Sequence, residues 1–68
     1  MSNPTYKKIE IIGTSDESFA KAADNGIRKA AATLHGLEWF EVTEMRGRID
    51  KDHVAQYQVS LKVGLKLD

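Results

Sequence analysis

Val54-Ala55-Gln56-Tyr57-Gln58-Val59-Ser60-Leu61-Lys62-Val63-Gly64-Leu65-Lys66-Leu67 closes the chain with an almost faultless alternation. In an extended backbone Ala55, Tyr57, Val59, Leu61, Val63, Leu65 and Leu67 share one face, and Gln56, Gln58, Ser60, Lys62, Gly64 and Lys66 share the other. A period of two held for that long predicts a strand with one buried and one polar face. The polar turn Asp50-Lys51-Asp52-His53 precedes it and joins it to a second strand, from about Glu38 to Ile49. Each strand of this hairpin spans roughly 35 to 45 Å at ~3.3 Å per residue, too long for one helix to cover.

In the second strand Phe40 and Val42 fall on one face, and Trp39 falls with Glu41 and Thr43 on the other. The single tryptophan is therefore offered outward from a polar sheet face. A large flat aromatic there gains much buried area, at small rotamer cost, when something covers it.

Upstream, Phe19, Ala22, Ala23, Gly26, Ile27, Ala30, Ala31 and Leu34 recur at helical spacing, with Lys21, Asp24, Asn25, Arg28 and Lys29 around the rest of the cylinder. The stripe is mostly small, so the helix is expected to bed closely on a sheet, and it reads as core packing. Thr14-Ser15-Asp16-Glu17 reads as its capping box and Gly36 as a left-handed cap after His35. Before it, a polar lead from Ser2 to Thr5 gives way to Tyr6-Lys7-Lys8-Ile9-Glu10-Ile11-Ile12, a first strand ended by Gly13. The predicted class is α+β, in the order β-α-β-β. It is one domain over residues 1–68, with a three-stranded antiparallel curved sheet wrapped around one helix.

At 7.6 kDa, folding removes about 6,700 Å² from water. If ~60% of that is apolar, the gain is about 100 kcal/mol. Ordering the chain at ~1.5 kcal/mol per residue costs about the same. There is no cysteine to form a disulfide and no Cys/His pattern for a structural zinc. Self-association is the ordinary remaining source of stability, and two open sheet edges, an outward tryptophan and an overhanging hairpin all call for it. Ten basic residues balance ten acidic ones, so no field draws in nucleic acid or an anionic membrane. The N-terminus lacks the apolar core of a signal peptide, and no run approaches a membrane span, which makes the cytoplasm the default location.

Gly13-Thr14-Ser15 with Glu17 and Phe19, then Leu37-Glu38-Trp39-Phe40-Glu41-Val42, Met45-Arg46-Gly47, Tyr57-Gln58-Val59 and Val63-Gly64-Leu65-Lys66-Leu67 together resemble the dodecins. The resemblance runs from Tyr6 to Leu67. It implies a hollow homododecamer that binds flavin, with FMN as the cofactor and riboflavin or FAD as variants, paired in sites between subunits. It also implies that Trp39 stacks on the flavin ring, Gln58 hydrogen-bonds its polar edge, and Arg46 and Lys66 lie near the FMN phosphate. Strict alternation puts Arg46 on the face opposite Trp39, so its role requires a bulge, with Gly47 as a site for one, or a second subunit. Lysine at position 66, where relatives carry a basic residue, keeps the charge but lacks arginine's bidentate fork.

An indole stacked on flavin quenches its excited state and shields the ring, leaving no room for a substrate. The function expected is storage, buffering or sequestration of flavin, without catalysis. Pro4 lies behind Ser2 and Asn3, so it is not placed as the amino-terminal base of a tautomerase, and no nucleophile-base set or phosphate loop is present. His35 and His53 lack a partner pattern for metal. The alternatives are a purely structural self-assembling module and a carrier of another nucleotide such as coenzyme A.

Overall fold

The computed structural model describes residues 3–68, so the polar lead placed from Ser2 begins outside the described residues. Four elements follow in the order β1 (Tyr6–Ser15), α1 (Phe19–Ala31), β2 (Leu37–Asp50) and β3 (His53–Lys66). The strands form a three-stranded antiparallel open sheet in the order β1-β3-β2. The strand with the cleanest alternation is thus the central one, and β1 and β2 are its two open edges.

Helix α1 lies against β1 and β3. Ala22, Val59, Leu61 and Val63 form the buried cluster, with Ile9, Ile11, Phe19, Ile27 and Tyr57 packed around it. The small-residue stripe does what its size allows: Gly26 of α1 approaches Gly13 of β1 so closely that a methyl on Gly13 would meet the Ala22 carbonyl. Gly13 therefore serves close packing and does not end its strand, which runs on to Ser15.

The helix start differs from the expected capping box. Ser18 is the N-cap, its Oγ accepting from the Lys21 amide at 3.0 Å, while Ser15 Oγ accepts from the Glu17 amide at 2.9 Å. Thr14 remains in β1, where pairing with Gln58 holds it extended. The helix ends at Ala31, before Gly36; that glycine does adopt φ +76°, but as the entry to β2, its carbonyl accepting from the Lys66 amide at 2.9 Å. The hairpin turn is tighter than expected, with Lys51 (φ 51°) and Asp52 (φ 65°) alone between the strands.

The hairpin overhangs as its length predicts. His53, Val54 and Gln56 of β3 pair only with β2, and the molecule measures 55 × 21 × 14 Å. Because α1 covers β1 and β3, the inward side chains of β2 stay open: Phe40, Val42 and Met45 are exposed, as are Ile49 and Val54 at the hairpin tip.

A candidate ligand face on the outer side of the sheet

The face turned away from α1 can be read row by row across the three strands. From one end the rows are Tyr6-Lys66, Lys8-Gly64-Trp39, Glu10-Lys62-Glu41, Ile12-Ser60-Glu44 and Thr14-Gln58-Arg46. Two irregularities in β2 produce this arrangement. Between Leu37 and Trp39 the pairing with β3 advances by one residue, which lets Leu37 meet the core and Trp39 face outward. Between Val42 and Glu44 it slips again, with Thr43 as the extra residue and its Oγ1 donating to the Ser60 carbonyl at 3.2 Å. Beyond this bulge the parity of β2 inverts, so Met45 turns inward and Glu44 and Arg46 turn outward. The bulge needed to bring Arg46 onto the face of Trp39 thus exists, at Thr43 and not at Gly47.

At one end of the face Trp39 lies directly over Gly64, whose missing side chain leaves the slot it fills. Tyr6 tilts against the indole with ring centroids 5.9 Å apart, and Lys8 Nζ lies 5.8 Å from the ring centroid. Lys8 is anchored in turn by Glu41 at 2.8 Å. That hydrogen bond and charge, with Lys62 adding to them, hold the Glu41 carboxyl below its ordinary range. The indole keeps 38% of its surface exposed, so it remains a platform. Lys66 shares this end, opposite Tyr6.

At the other end Gln58 Oε1 faces Arg46 Nη1 at 3.5 Å, while its Nε2 donates to Gln56 Oε1 at 2.9 Å. The amide of Gln58 is therefore oriented, carbonyl toward Arg46 and amide toward Gln56. Arg46 Nη2 donates to Glu44 Oε1 at 2.7 Å and to Ser60 Oγ at 3.1 Å. The four residues expected from the sequence share one face, but they are not brought to one point: Trp39 and Lys66 stand at one end, Gln58 and Arg46 at the other. Gly64 and Gln58 stand six positions apart on β3, about 20 Å at the rise of an extended strand. No ring system bound to Trp39 reaches Gln58 of the same chain.

Sequence reasoning passed over Tyr6, Lys8, Gly64, Glu44 and Ser60. Tyr6 and Lys8 share the outward parity of β1, which was a legible signal. Gly64 acquires meaning only from its pairing with Trp39. Among the described residues no group of three or more His, Cys, Asp or Glu side chains is arranged to hold a metal ion, and no helix is long and apolar enough to cross a membrane.

Comparison with known proteins agrees with this architecture. The dodecin family model matches residues 5–68. A dodecin of Thermus thermophilus is 46% identical over 63 residues, covering 93% of this chain and 91% of that protein. The calcium dodecin of Mycobacterium tuberculosis is 31% identical over 62 residues, covering 91% of this chain and 87% of its own length. The solved dodecin from Streptomyces davaonensis superposes with a TM-score of 0.95 at 49% identity, covering 98% of each chain. A β-α-β-β chain whose only tryptophan is seated on a strand glycine, matched over more than nine-tenths of its length by these proteins, belongs to the dodecin family.

Proposed function

We propose that this protein binds flavin, FMN above all with riboflavin or FAD as variants, and stores or sequesters it without catalysing a reaction, as one domain spanning residues 1–68. The observation that carries this reading is Trp39: an indole half-covered by Gly64, Tyr6 and Lys8, with its remaining surface open on a polar face. The donor set fits a flavin. A flat aromatic platform suits the ring system, the oriented amide of Gln58 suits a polar ring edge carrying both donors and acceptors, and Arg46 and Lys66 suit a phosphate tail. When bound, flavin supplies a photoexcitable ring, and the stacked indole returns it to the ground state by electron transfer.

The separation of Trp39 from Gln58 makes the site one that a second copy completes, Trp39 coming from one chain and Gln58 with Arg46 from another. This accords with a homododecamer, in which the exposed Phe40, Val42 and Met45 also find cover. Nucleic acid and membrane have no place in this reading, since the chain carries zero net charge.

Titration of flavin-free protein with FMN, following flavin and Trp39 emission together, tests the reading. Mutual quenching that saturates near one flavin per chain is expected, and unchanged emission from both overturns it. Trp39→Ala separates the alternatives: lost flavin binding with the assembly intact supports the platform, whereas collapse to small species favours a structural module. Binding of coenzyme A without flavin identifies a carrier of another nucleotide.

A further inference from the structure

Glu44 is a charged residue of the ligand face to which the flavin reading gives no role, and its contact with Arg46 singles it out. Its Oε1 accepts from Arg46 Nη2 at 2.7 Å and from Ser60 Oγ at 3.3 Å, and the same guanidinium nitrogen donates to Ser60 Oγ at 3.1 Å. The three side chains close a triangle between β2 and the central strand, with Ser60 only 2% exposed at its base. The Thr43 bulge carries Glu44 and Arg46 outward together, so wherever Arg46 reaches the face, Glu44 accompanies it. Arg46 therefore meets a ligand already holding a carboxylate. A neutral polar edge still finds guanidinium N–H groups to bond. An anionic group finds the attraction of Arg46 offset by the repulsion of Glu44.

We infer that Glu44 is a specificity-determining residue of this face, an internal carboxylate that engages Arg46 and lowers the site's preference for FMN over uncharged riboflavin. Glu44 has this role only if flavin is the ligand, as proposed above. Its side chain is 65% exposed and that of Arg46 39%, so solvent screening keeps the bias moderate.

Wild-type, Glu44→Gln and Glu44→Ala full-length proteins, matched for assembly size by sedimentation, are titrated with riboflavin and with FMN. In both variants the ratio of FMN to riboflavin affinity is expected to rise about 3- to 10-fold, chiefly through tighter FMN binding. In an Arg46→Ala background the same substitutions are expected to raise the ratio again, because the carboxylate repels the phosphate directly, whereas a role of Glu44 confined to holding Arg46 in place predicts no change there. A ratio that stays at the wild-type value or falls, in whichever variant assembles, overturns the role of Glu44 and leaves flavin binding standing. Failure of the wild-type protein to bind either flavin overturns both.

Discussion

At Gly64 the absence of a side chain lets Trp39 lie across the sheet toward Tyr6 and Lys8. A Cβ there would occupy the space of the indole's fused ring, so the ring would have to move outward from the central strand. Gly64→Ala is therefore expected to lift Trp39 from its seat, costing about 1–3 kcal/mol of stability by overpacking. It is also expected to weaken flavin binding at least about tenfold, since the displaced ring no longer presents one orientation. Thermal unfolding and flavin titration of the variant check this together. Wild-type indole emission and wild-type flavin affinity in that variant would show that Gly64 does not position the ring.

Among the elements, the β2–β3 hairpin carries both its own strain and the means of arranging the face. Both turn residues, Lys51 and Asp52, have positive φ, the conformation of a two-residue turn whose twist matches its strands and which Asn-Gly adopts most readily. Lys51 bears the larger cost, because a left-handed backbone brings its Cβ toward the following carbonyl. Replacing the pair by Asn-Gly is expected to raise stability by about 1 kcal/mol without changing the strands. A denaturant midpoint that falls, with an unchanged slope, would contradict the turn geometry. The Thr43 bulge in the same hairpin has the opposite character: it interrupts pairing, yet it alone sets Arg46 beside Gln58.

At the scale of the whole molecule, a single chain leaves much apolar surface uncovered. Its surface of 5126 Å² exceeds the roughly 4,300 Å² of a compact monomer of this mass, because the hairpin overhangs and the inner side of β2 is uncovered. Between α1 and β2 lies an open groove of about 320 Å³ lined by Phe19, Ala23, Phe40, Val42, Met45 and Val59. On the outer face the aromatic and polar ends likewise stand about 20 Å apart along β3. Complementation tests a site shared between copies. Trp39→Ala and Gln58→Ala chains, each deficient in flavin binding alone, are unfolded and co-assembled in equal amounts. About a quarter of the sites should recover, since random mixing pairs an intact Trp39 with an intact Gln58 that often. No recovery would mean that both residues serve the site from one chain or that one of them takes no part.

Element types and their order, the outward face of Trp39 and the inward face of β3 were all legible in the residues themselves. These follow from periodicities of two and 3.6 that each segment carries within itself. The sequence also put a monomer at marginal stability, because length and apolar content bound the core. The resemblance quoted from its motifs was enough to name the family. Tertiary structure alone decided the rest. A bulge is one extra residue against a partner strand, so the parity of Arg46 depended on how β2 aligned with β3, and nothing in Val42-Thr43-Glu44 marks the slip locally. Thr14 had the composition of a helix cap but was held by its pairing with Gln58, leaving the cap to Ser18. Gly64 read as a gap in an alternating strand until Trp39 was placed upon it. In each case the local preference was weak, and a partner distant in sequence settled it.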